Sequence, residues 1–119
     1  MKRLLLKSAI ITATVTEADL NYIGSITIDE NLVEKANLKA GENVLVVDHT
    51  NGSRLETYAI VGQRGSGTIC MNGAAAHLIN KGDVVTIMTF TWTDGGIQPQ
   101  FVLVDKENRF VGYQERMNN

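Results

Sequence analysis

The chain has 119 residues, with 13 acidic against 11 basic side chains and a net charge of −2; this length suits one domain built on one core. The charges are spread along the chain, so no basic stripe offers itself to nucleic acid, and no apolar run approaches the ~20 residues of a membrane span. The lone cysteine, Cys70, excludes an internal disulfide and fits a reducing, cytoplasmic setting.

The opening Met1-Lys2-Arg3-Leu4-Leu5-Leu6 has the look of an export signal, but Lys7 cuts the apolar run short. Runs rich in β-branched residues predict strands near 3–15, 23–28, 43–48, 54–61, 67–71, 83–92, 100–105 and 109–113, which makes the fold mainly β. Between them, Asp29 reads as the cap of a helix whose apolar stripe is Leu32, Val33 and Ala36, with Gly41 beyond its end. Asn51-Gly52 is a hairpin signal, because both residues tolerate positive φ. Gly65-Ser66-Gly67, Asn80-Lys81-Gly82-Asp83 and Asp94-Gly95-Gly96 supply further turns. Cys70 falls inside the strand-like Thr68-Ile69-Cys70-Met71 and reads as a buried, inert thiol. Asn72 is expected to cap a second short helix from Gly73 to Leu78. Free backbone N–H groups at such a start would suit an anion, and the small Gly73, Ala74 and Ala75 would let a ligand approach the main chain. The single Pro99 and the absence of any low-complexity linker leave no domain boundary.

The chain carries no glycine-rich phosphate loop and no metal-ligand spacing, and His49 and His77 stand alone. In the strand after Asn51-Gly52, alternation places Arg54, Glu56 and Tyr58 on one face and Thr57 on the other. Arg54 could clamp a carboxylate through its two-pronged guanidinium, and Tyr58 could donate a proton. Taken by themselves, Arg54 and Tyr58 are more often an exposed ion-pairing arginine and a half-buried aromatic, and Gly24-Ser25 is more often an ordinary turn.

Three blocks change that balance: Asn21-Tyr22-Ile23-Gly24-Ser25-Ile26-Thr27-Ile28-Asp29, Asn51-Gly52-Ser53-Arg54-Leu55-Glu56-Thr57-Tyr58, and Asn72-Gly73-Ala74-Ala75-Ala76-His77. In this order and spacing they resemble the pyruvoyl-dependent aspartate 1-decarboxylases, over residues 1–92 well and more weakly beyond. The resemblance implies a double-psi β-barrel with one or two short helices, forming a single domain over residues 1–119. It implies a cytoplasmic lyase of pantothenate biosynthesis, made as a zymogen that cleaves itself between Gly24 and Ser25 into residues 1–24 and 25–119. By that resemblance the Ser25 hydroxyl attacks the Gly24 carbonyl to form an ester. β-Elimination then leaves dehydroalanine, which hydrolyses to a pyruvoyl group and ammonia. The pyruvoyl carbonyl would form a Schiff base with a small amino-acid substrate and act as the electron sink for decarboxylation. Glycine at position 24 is expected to hold strained backbone. Thr57 would assist cleavage and orient the pyruvoyl group, while Tyr22, Asn72, Gly73, Ala74 and Ala75 would line the site beside Arg54 and Tyr58. The resemblance further implies a homotetramer with sites between subunits and leaves room for a maturation helper. No nucleic-acid or membrane partner is expected.

The chain departs from the family pattern at Ala9-Ile10-Ile11-Thr12, where Lys-Ile-His-Arg is usual, and at Val47, often tryptophan. Because the family's lysine helps hold the dicarboxylate, the expectation is a weakened grip on aspartate that Ala9→Lys would restore. Lys7 lies on the same strand but is no evident replacement. Two other readings stand beside this one: the same chemistry on a different amino acid, and a noncatalytic β-barrel binding module.

Overall fold

The computed structural model describes residues 1–114; the end of the expected domain lies outside the described residues. Nine strands form a single sheet: β1 (Arg3–Thr14), β2 (Glu17–Asp19), β3 (Ser25–Asp29), β4 (Asn43–Asp48), β5 (Arg54–Gly62), β6 (Ile69–Asn72), β7 (Val84–Thr93), β8 (Gln100–Val104) and β9 (Phe110–Gln114). Their spatial order is β2-β6-β3-β5-β4-β7-β1-β8-β9. The sheet curls around one apolar core drawn from β1, β3 to β8 and the helix, with Ile10, Ile26, Ile28, Leu32, Val46, Ile69 and Val85 among its members. The mainly β expectation holds, and the arrangement fits a small β-barrel.

Eight strands fall where the sequence places them. The ninth, β2, is only three residues long, two of them charged, so it carries no apolar alternation to read; its parallel pairing with β6, Glu17 to Cys70 and Asp19 to Asn72, creates it. The helix α1 (Glu30–Lys35) is capped as expected: Asp29 Oδ1 accepts from the Asn31 N–H at 2.8 Å. The same buried carboxylate also accepts from the N–H groups of Gly65, at 3.0 Å, and Gly67, at 2.8 Å. One side chain thereby ties the 63–67 loop to the helix start. Such charge-assisted bonds are each worth about 1.5–3 kcal/mol.

A pair of carboxyl groups was not foreseen. Asp48 and Asp83 are both buried, and Asp48 Oδ2 meets no donor while both are ionised. Burial, and then the neighbouring Asp83, push the Asp48 carboxyl above its usual range, against the pull of the Thr50 and Asn51 N–H groups. The hydrogen bond from Asp48 holds Asp83 below its usual range. As pH falls, the pair therefore takes its first proton on Asp48, which then donates to Asp83. The Asp48 contribution to stability is complete below the ordinary carboxyl range and is lost as pH rises through its raised folded value. Asp48→Asn keeps an acceptor for Thr50 and Asn51 and presents a permanent donor to Asp83. The variant is expected to be more stable than the parent at neutral pH by about 1 kcal/mol or more, with the gain shrinking in acid. Melting curves across pH check this; a variant destabilised equally at every pH would contradict the hydrogen bond between the two carboxyl groups.

Candidate active site around the Gly24–Ser25 bond

The site is assembled by pairing that connects residues far apart in sequence. β3 runs parallel to β5 with Ile26 opposite Ala59, Thr27 opposite Ile60 and Ile28 opposite Val61. Ile26 and Ala59 both point into the core, so stepping back along both strands sets Ser25 beside Tyr58 on the outer face and Gly24 beside Thr57. Gly24 and Thr57 do line one open cleft of about 310 Å³, together with Leu55, Glu56, Ala74, Ala75 and Leu78. Continued back from Ile26 and Ala59, this register runs Thr57 and Tyr58 past the Gly24–Ser25 bond, although their side chains lie on opposite faces of β5.

On the other side, β3 is antiparallel to β6, with Ser25 opposite Asn72 and Thr27 opposite Cys70. Because β2 also pairs with β6, the segment joining β2 to β3 must pass over the end of β6, at Asn72-Gly73. Gly73 has φ +68, and a Cβ there would lie 2.7 Å from Gly24 Cα and 2.9 Å from the Tyr22 carbonyl oxygen. Only glycine admits so close a crossing in that conformation. The strain expected at Gly24 is not found: its φ is not positive, and a Cβ built on it meets nothing within 4 Å. The demanding glycine is the one beneath it.

Ser25 is fully buried although Gly24 is exposed, so the bond between them straddles the protein surface. The Ser25 hydroxyl donates to the Ile23 carbonyl at 3.1 Å and accepts from Asn72 Nδ2 at 2.9 Å. Asn72 Nδ2 also donates to Thr27 Oγ1 at 3.0 Å, and the Cys70 thiol donates to Asn72 Oδ1 at 3.2 Å. Burial, then the charges of Glu17 and Asp19, push the Cys70 thiol up, which keeps it a protonated donor. Among the described residues no carboxylate, imidazole or amine is hydrogen bonded to Ser25. Asn72 does not cap a helix as expected. Its side chain turns to Ser25 instead, and Gly73–His77 forms a 3-10 turn without a side-chain cap. A left-handed glycine at its first residue rules out the α-helical start proposed for an oxyanion.

Other predicted residues stand apart. Tyr58 and Tyr22 are 37% and 53% exposed, and Arg54 is exposed opposite Val47. Among the described residues, none of these three side chains has a hydrogen-bond or ion-pair partner. Lys7 is held by Glu42 at 2.7 Å and the Asn37 carbonyl at 2.8 Å, so it does not stand in for a lysine at position 9. Ala9 itself is wholly buried, between Met88 on β7 and Phe101 on β8. A lysine there would have to bury its ammonium or displace that packing. The expectation that Ala9→Lys restores a grip on aspartate therefore carries a burial cost that the sequence did not show. Thr12, exposed at φ +51, sits in the bulge of β1 between Ile10 and Ala13, and Ile11 is half-buried. His49 is structural, its Nε2 2.7 Å from Thr86 Oγ1.

Thr27 and Cys70 join the contacts around Ser25 through Asn72, although no motif in the sequence points to them. Alternation along β6 does put Cys70 and Asn72 on one face; the missing information was that β6 pairs with β3.

Known proteins resemble this chain over most of its length. A protein named aspartate 1-decarboxylase from Corynebacterium efficiens is 57% identical over 115 residues, covering 93% of this chain and 85% of its own. One of the same name from Porphyromonas gingivalis is 60% identical over 87 residues, 73% of this chain and 74% of its own. Another, from Pelotomaculum thermopropionicum, is 52% identical over 111 residues, 90% and 84% of the two chains. The family model described as aspartate decarboxylase matches residues 1–111, and the chain belongs to that family.

Proposed function

We propose that this chain is a pyruvoyl-dependent aspartate 1-decarboxylase, converting L-aspartate to β-alanine and CO2 in the cytoplasm for pantothenate biosynthesis. The observation that carries the reading is the register of β3 on β5, which continued back from Ile26 and Ala59 runs Gly24-Ser25 past Thr57-Tyr58, with Asn72 bonded to Ser25 and Gly73 against Gly24. The structure describes the uncleaved chain. Cleavage would divide it into residues 1–24 and 25–119, and Ser25 would become the pyruvoyl group.

The residues present fit such a group. Gly73 leaves room where the new chain end would form, and Asn72 offers amide hydrogens to whatever replaces the Ser25 side chain. The group supplies a carbonyl that accepts the electron pair left when CO2 departs. This chain's residues do the rest: Thr57 assists cleavage and positions the new end, Tyr58 protonates the decarboxylated carbon, and Arg54 holds a carboxylate. Tyr22 and the Ala74-Ala75 backbone complete the lining. Arg54 and Tyr58 lie four residues apart, about 13 Å along the strand. That separation, and a cleft open to solvent, favour a homotetramer whose sites are completed by a neighbouring subunit. Whether a maturation helper speeds cleavage is a matter for the rate in purified protein.

The reading is tested by incubating purified protein with L-aspartate, L-glutamate and neutral amino acids and measuring the amine products. β-Alanine as the dominant product supports it; turnover of a neutral amino acid alone would replace aspartate as the substrate. Arg54→Lys keeps the charge but loses the two-pronged geometry. Its kcat/KM for aspartate is expected to fall by about tenfold or more, the equivalent of one charge-assisted hydrogen bond. An unchanged value would leave Arg54 without a role in binding.

A further inference from the structure

The outer face of β3 and β6 carries a chain of polar contacts whose far end is a thiol. Ser25 Oγ accepts from Asn72 Nδ2, and Asn72 Oδ1 accepts from Cys70 Sγ. All three residues are buried, so water does not compete for these groups. We propose that Cys70 is a positioning residue for self-cleavage: its thiol fixes the Asn72 amide with the NH2 group toward Ser25 Oγ and Thr27 Oγ1.

The argument rests on what each atom can do. An amide has two faces that differ only in which carries the hydrogens. Ser25 Oγ already gives its own hydrogen to the Ile23 carbonyl, so toward Asn72 it can only accept. Thr27 Oγ1, on the neighbouring strand position, accepts as well. With the amide turned over, Oδ1 could accept from Thr27 but would face a Ser25 oxygen whose hydrogen is already given away, and the NH2 group would face sulfur, a weak acceptor. The protonated thiol removes that alternative by rewarding Oδ1 on its side. The Ser25 hydroxyl is then held by two bonds of fixed sense, next to the Gly24 carbonyl that it must attack. An unanchored amide would hold the oxygen only part of the time.

This inference rests on the self-cleavage reading, and the test separates the two. Full-length chain made in a short pulse is followed by intact mass for the parent, Cys70→Ala and Cys70→Ser, with the melting temperature of each measured in parallel. Cys70→Ala is expected to cleave more slowly by about two- to tenfold, and Cys70→Ser, which keeps a donor, to lie within about twofold of the parent. Both small replacements leave a similar gap, so a merely structural role would lower melting temperature and cleavage alike in the two. Cleavage of Cys70→Ala at the parent rate, or equal slowing in alanine and serine variants, overturns the role of Cys70 while self-cleavage stands. A parent chain that never cleaves removes both.

Discussion

Ser25→Ala is expected to leave a single uncleaved chain and to abolish β-alanine formation. In the proposed self-cleavage the attacking group is the Ser25 hydroxyl, and no other hydroxyl or thiol of the described site adjoins the Gly24 carbonyl. Gly24 is followed by no other nucleophile, Thr27 lies two residues further along β3, and Thr57 belongs to the neighbouring strand. The loss should be chemical rather than structural. Asn72 Nδ2 keeps its bond to Thr27, the Ile23 carbonyl lies in an exposed stretch where water can reach it, and alanine fits the space that serine leaves. The melting temperature should therefore change little, since neither bond partner is left buried and unpaired. Mass spectrometry and a β-alanine assay on the same preparation check both halves. A cleaved Ser25→Ala chain would mean that the Gly24–Ser25 bond is cut by a route that does not use the serine.

The second large effect is expected at Tyr58. If its hydroxyl protonates the carbon that has lost CO2, Tyr58→Phe should reduce turnover by about 10²–10⁴-fold, the usual span of acid–base catalysis, while cleavage proceeds. The structure makes this a clean substitution. Tyr58 is partly exposed at 37%, and among the described residues its hydroxyl has no hydrogen-bond partner, so phenylalanine strands no buried polar group. The ring and its place beside Ser25 are retained. Parent-like turnover in a fully cleaved Tyr58→Phe protein would take Tyr58 out of the reaction.

Most of the strands were legible because Val, Ile and Thr cluster between turn residues, and the cap at Asp29 because its side chain and the apolar stripe after it obey local rules. The site was legible only in pieces. Alternation separated Thr57 from Tyr58 but could not say which strand lay alongside them, and the parallel register of β3 on β5 is what reconciles the two. Pairing partners are set by the whole barrel, not by either strand's own pattern. Asn72 looked like a cap because asparagine before a run of small residues usually is one. The buried Ser25 and Thr27 on the facing strand offered its side chain a better use. Strain is expected at Gly24 from the motif, whereas the loop between β2 and β3 puts the close backbone crossing at Gly73. Asp48 and Asp83, 35 positions apart, gave no local sign that they would meet. The sequence shows the missing lysine at position 9, but only the pairing of β1 with β7 and β8 shows that Ala9 is covered by its neighbours.

The central claim is that this chain makes its own carbonyl at position 25, and the intact mass of the purified parent protein tests it most directly. The expected result is two fragments, residues 1–24 and residues 25–119, with the larger carrying a pyruvoyl group in place of its N-terminal serine. A single full-length mass that persists through prolonged warm incubation, or a larger fragment that begins with an unmodified serine, would contradict it.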